Sequence, residues 1–170
     1  LTDDQSFVPV GLGGDEPIMA LPNPYMANTV EINGQLSVTN GQLQNAAGQT
    51  LQLQGVSTHG LQWFPIFDDN TIAYLAEYFG AEVVRPANYI EDYPNGAVTD
   101  HDPNDYWGGW RAEPEYMEAQ VNQAVEDAVN AGVYVHSSWH IHHVPQDFTS
   151  EAIDFFVRLS ALHAGKPHFM

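Results

Sequence analysis

From Ile32 onward the apolar positions fall into short alternating runs, Leu36 to Thr39, Gln42 to Gln44 and Leu51 to Val56, separated by Asn40-Gly41 and by Asn45 to Gly48. A period of two marks strands, and Asn-Gly supplies the positive-φ residues of a tight hairpin turn. The pattern therefore predicts a small β-hairpin leading into a longer strand. Further along, the period switches to helical and back three times. Asp69 or Asn70 can cap a helix with Ile72, Leu75, Ala76 and Phe79 on its apolar face and Gly80 at its end. Glu82 to Ala87 then reads as a strand. Pro114 suits the first turn of a second helix carrying Met117, Val121, Ala124, Val125 and Ala128, with Gly132 as its stop. Val133 to Ser138 is the next strand, and a third helix fits Thr149 to Ala164, with Ile153, Phe156, Val157 and Leu159 to Leu162 on its buried side. Strands alternating with helices imply parallel strands joined by helical crossovers, an α/β architecture.

Residues 1–30 differ in kind. Pro9, Pro17, Pro22 and Pro24, the Gly11 to Gly14 run and two acidic pairs show no sustained period, the composition of a linker or N-terminal arm. Residues 31–170 form the folded unit, and the chain holds no internal repeat.

Of its 170 residues 44% are hydrophobic, enough for a core, so wholesale disorder is excluded. Lys plus Arg number 4 against 22 Asp plus Glu, a formal net charge of −18. Four cations cannot make a phosphate-tracking surface, which argues against nucleic acid and anionic membranes as partners. A neutral, hydroxyl-rich polymer suits this surface better. Cysteine is absent, which removes disulfides, thiolate metal sites and cysteine nucleophiles together. No apolar run reaches the length of a membrane span, and no signal peptide is recognisable, as in a processed secreted protein.

At the strand ends the residues become distinctive: GVSTHGLQW (55–63), VVRPANY (83–89) and SSWHIHH (137–143). At these positions in the βα order they resemble the first three βα units of glycoside hydrolase family 5, of the cellulase or endo-β-1,4-glucanase type. The preceding GQLSVTNGQLQNAAGQTLQLQG resembles that family's N-terminal hairpin, which plugs the barrel bottom. The resemblance covers about residues 34–170. It implies the N-terminal part of a (β/α)8 TIM barrel, about three units of eight, since a whole barrel takes about 250 residues.

The resemblance carries roles over to particular positions. Arg85 matches the arginine that supports the nucleophilic carboxylate, and His140 matches the histidine of the Trp-His motif that lines the site. His59 and Trp63 match residues on the glycone side of the cleft, and Tyr89 stands where an aromatic flanks it. Two positions depart from the pattern: Ser138 replaces the Asp before Trp-His, and Asn88 follows Ala87 where Met or Ala is usual. The family's acid/base Glu closes strand four in an Asn-Glu-Pro motif and its nucleophile Glu closes strand seven. ALHAGKPHFM resembles the approach to strand four, and neither glutamate occurs in this sequence. No residue here is therefore assigned to the pair of carboxyl groups, about 5 to 5.5 Å apart, that retaining hydrolysis needs.

Each position also has a plainer reading. Arg85 could serve an interior ion pair, Trp63 the core, and His59 a satisfied interior contact. Tyr93, Tyr106, Trp107 and Trp110 follow the second strand, where barrel enzymes place substrate loops, so Trp107 and Trp110 are candidates for a sugar-stacking rim or for packing over the helices. His136, His140 and His142 share a strand face if the strand runs on, which invites a metal reading, but carboxylates are not at ligand spacing. Asp100, Asp102 and Asp105 with His101 and Asn104 could hold calcium, yet the loop lacks the Gly and bidentate Glu of an EF-hand. No metal and no cofactor is expected.

Two functions remain open. The first is the N-terminal portion of a secreted retaining endo-β-1,4-glucanase acting on β-glucan or another neutral polysaccharide, this chain alone being inactive. The alternative is a non-catalytic β-glucan-binding half-barrel that self-associates through its open sheet edge.

Overall fold

The computed structural model describes residues 28–62, 69–90, 108–142 and 144–170. The short helix α1 (Thr29–Asn33) precedes a hairpin of β1 (Ser37–Thr39) and β2 (Gln42–Gln44). Asn40 and Gly41 at its tip have φ of 52° and 76°, the backbone that the Asn-Gly pair supplies. The longer strand begins later than the alternation predicts, as β3 (Gly55–Gly60), followed by α2 (Asp69–Phe79), β4 (Val83–Tyr89) and α3 (Pro114–Ala131). Next come β5 (Tyr134–Val135), β6 (Ser138–His140), a 3-10 turn (Pro145–Phe148) and α4 (Thr149–His163).

β4 is central, parallel to β3 on one side and to β5 and β6 on the other. The third strand is thus interrupted at His136 and Ser137 rather than continuous. A fourth parallel strand has begun: Val135 donates to the His168 carbonyl and accepts from the Met170 N–H, so its outer edge is paired within the chain. The sheet is open, with alternating strands and helices, a partial barrel.

The core lies between sheet and helices. Ile72 of α2 meets Val84, Val125, Ala128, Val133 and Val135 in one cluster. Leu61, Ile90, Trp110, Met117, Val121, Phe148, Phe155 and Leu159 form another. All five apolar positions predicted for α3 are buried, and the helix starts at Pro114 and stops at Gly132 as its sequence requires. Two other helix faces differ from expectation. Phe79, predicted on the inner face of α2, is exposed. In α4 the buried side is Phe155, Leu159 and His163, whereas Ile153, Phe156, Val157 and Leu162 face outward. That helix is apolar on two sides, and packing on α3 selects the side with ion pairs beside it: Arg158 with Glu118 and Lys166 with Glu126.

The N-terminal ends of the strands are closed by the α1 segment. Val30 donates to the Gly132 carbonyl at 3.2 Å, Thr29 Oγ1 to Glu82 Oε1 at 3.5 Å, and the Tyr134 hydroxyl to the Gly34 carbonyl at 2.6 Å. Thr29 and Val30, which the composition placed in the N-terminal arm, are buried there. Gly132 has φ 70° and lies against the Asn28 side chain, where a Cβ would collide at 2.5 Å.

Candidate active site

A group of rings and one guanidinium gathers at the opposite, C-terminal end of the strands. Arg85 and Tyr89 lie on the same face of β4, two and four positions apart from Ala87 and Arg85 respectively, as strand alternation dictates. Arg85 is opposite Ser57 in the β3 register, and its Nη1 donates to Ser57 Oγ at 3.0 Å. Its Nη2 lies 3.3 Å from His140 Nδ1. A guanidinium only donates, so Nδ1 accepts and the His140 ring proton sits on Nε2.

Between Ser57 and Gly60 the β3–β4 register slips. There the Ala87 N–H donates to the Thr58 hydroxyl at 2.9 Å, and the Leu61 N–H donates to the Ala87 carbonyl. This bulge turns the end of β3 and aims His59 at the group. Tyr89, itself buried, stacks with His59 at 5.9 Å between ring centroids and lies 4.1 Å from His140 and 5.2 Å from His142. His140 and His142 meet edge to face at 4.9 Å.

Of the residues singled out by sequence, Arg85, His140, His59 and Tyr89 are brought together. Trp110 is not: at 6% exposure it packs edge-on against Trp139 and Phe155 in the core, so its expected place on a sugar-stacking rim is corrected to interior packing. Trp63, Trp107, Tyr93, Tyr106 and the acidic loop 100–105 lie outside the described residues. β5 and β6 keep one register against β4, so His136 stands opposite Arg85 and His140 opposite Tyr89, in the same phase of the strand. Among the described residues no group of three His, Asp or Glu is placed to hold a metal ion. In the sequence His142 is joined to His140 only as a metal reading, not to the rings of Tyr89 and His59. Its even spacing from His140 was the available signal.

The two departures from the family pattern have distinct outcomes. Ser138 donates its hydroxyl to the Pro86 carbonyl at 3.2 Å, a bond to the backbone that a carboxylate could not donate. Asn88 points to the helix side, is fully buried, and neither of its amide atoms has a hydrogen-bond partner.

Among the described residues the group joins one guanidinium, Arg85, to the rings of His59, Tyr89, His140 and His142. Arg111 pairs with Glu151, Arg158 with Glu118 and Asp154, and Lys166 with Glu126. Arg85, the fourth cation, has no carboxylate partner among the described residues and is held by Ser57 and His140 instead.

The profile of the cellulase family, glycosyl hydrolase family 5, matches residues 44–166. An endoglucanase of Halalkalibacter akibai is 31% identical over 144 residues, covering 82% of this chain and 16% of the relative. Endoglucanase N of Pectobacterium atrosepticum is 33% identical over 145 residues, covering 84% and 29%. This chain therefore spans less than a third of either relative. Among solved structures, the catalytic domain of Thermobifida fusca endoglucanase Cel5A aligns with a TM-score of 0.70 at 26% identity, covering 84% of this chain and 43% of that one. A variant of the same domain, equally similar, was solved in complex with cellotetraose.

Proposed function

The chain belongs to glycosyl hydrolase family 5, and from that premise we propose that it forms the first wall of the active site of a secreted retaining endo-β-1,4-glucanase. The observation that carries this reading is the Arg85–His140 pair at the C-terminal ends of adjacent parallel strands, where barrel enzymes keep their chemistry. The likeness to endoglucanases, one of them holding cellotetraose, supports β-1,4-glucan as the substrate class.

Retaining hydrolysis uses one carboxyl group as nucleophile and a second as acid and then base. The described ring group contains neither, and this reading assigns both to later strands of the barrel, outside these 170 residues. Arg85 would orient the nucleophilic carboxylate and hold it ionised, since a neighbouring cation favours the charged form. His140, with its proton fixed on Nε2, would donate a hydrogen bond into the cleft. The exposed His59 would stand in the wall against which a glucosyl ring is seated, with the buried Tyr89 backing it.

The test is loss of viscosity of carboxymethylcellulose by the natural full-length protein, compared with residues 1–170 alone. Cleavage by the former and none by the latter is expected. Cleavage by residues 1–170 would overturn the assignment of the carboxylates to later strands.

A second reading, a non-catalytic half-barrel that binds glucan and self-associates, is favoured by the outward apolar residues of α2 and α4, including Tyr74, Tyr78, Ile153 and Val157. Sedimentation of the natural protein as a monomer with cellulase activity would remove it.

A further inference from the structure

Tyr89 is enclosed in the ring group, whereas His59 and His142, both in ring contact with it, are exposed. His142 lies two residues beyond His140, past the end of β6, and its ring rests in edge-to-face contact on His140 and beside Tyr89. A ring braced by two others is restricted in orientation while exposed to solvent. Neutral imidazole offers one donor and one acceptor, which suits a sugar hydroxyl that itself donates and accepts. A lysine or arginine there would bring a strongly hydrated charge beside Arg85, whereas imidazole supplies the same polar reach without one.

We propose that His142 is a further substrate-contacting residue, hydrogen-bonding a hydroxyl of a glucosyl unit bound at the C-terminal ends of β4 and β6. The proposal rests on the glucanase reading above. Its role is to position the sugar, not to move the proton of the chemical step, so it acts on binding in ground state and transition state alike.

The test uses the natural full-length protein with cellotetraose as probe, measuring kcat, KM and the calorimetric Kd. His142→Ala should raise KM and Kd by about five- to tenfold, the loss of one hydrogen bond, with kcat within about twofold of wild type. His142→Gln, which keeps an amide near the Nε2 position, should recover most of that loss, and His142→Phe, which keeps only a ring, should not. Unchanged KM and Kd in His142→Ala, or full recovery by Phe, would overturn the proposal. Wild-type protein that binds cellotetraose without cleaving it would overturn the glucanase reading alone, and the His142 contact would still be decided by Kd.

Discussion

Arg85 Nη2 donates to His140 Nδ1 at 3.3 Å across the β4–β6 pair, and that contact settles which nitrogen of His140 carries the proton. The Nε2-protonated tautomer should dominate in the nitrogen-15 spectrum of the wild-type protein near pH 7. Arg85→Met should release the ring into a tautomer mixture. A wild-type His140 protonated on Nδ1 would contradict the arrangement.

Asn88 gives a stability prediction. Its amide is fully buried on the helix side of β4, opposite Trp139, whose Nε1 is likewise without a partner. Leaving such groups unpaired costs about 1 to 3 kcal/mol. Asn88→Leu keeps the γ-branched shape and should raise unfolding free energy by about that amount. A denaturation midpoint at or below wild type would contradict it.

His163 predicts the acid limb of stability. Its Nε2 donates to Asn122 Oδ1 at 2.9 Å and its Nδ1 accepts from Lys166 at 3.3 Å, so no lone pair is left for a proton. Burial first, and the Lys166 charge second, hold its pKa below the usual 6.5, with Glu126 opposing weakly. Burial and Lys166 lower His168 in the same way. Because the folded values lie below the unfolded ones, the unfolded state binds more protons. The stability these rings contribute is therefore complete above about pH 6.5 and is lost as pH falls toward their folded values. His163→Gln, which can keep both hydrogen bonds, should remove about one proton from the slope of unfolding free energy against pH below 6.5. An unchanged slope would contradict the buried neutral ring.

How much of this was legible in sequence depended on whether the cause was local. The hairpin turn at Asn40-Gly41 and the limits of α3 at Pro114 and Gly132 follow from backbone preferences of those residues, and they stand where the pattern puts them. The family motifs located Arg85, His140, His59 and Tyr89 because strand ends position them. The inner face of α4 was not legible, since Ile153 and Val157 are as apolar as Phe155 and Leu159 and only tertiary packing separates them. Trp110 stayed open between rim and interior packing for the same reason: an aromatic after a strand can face solvent or core, and the neighbours Trp139 and Phe155 decide it. The gap between β5 and β6 falls beside Pro86, which has no N–H to give to the ladder, and it leaves the register unchanged.

The charge imbalance predicts tolerance of salt. With 22 acids and four cations, screening relieves more repulsion than attraction. The melting temperature should hold or rise up to about 1 M NaCl, where the screening length is about 3 Å. A steady fall over that range would show that the Arg158–Glu118 and Lys166–Glu126 pairs dominate instead.

The stereochemistry of cleavage tests the functional reading most directly. Proton NMR of cellotetraose in the first minutes after addition of the natural full-length protein should show the β-anomer of the product appearing first, with the α-anomer growing only by mutarotation, as a covalent intermediate on a carboxylate held by Arg85 requires. Initial appearance of the α-anomer, or no cleavage at all, would contradict it.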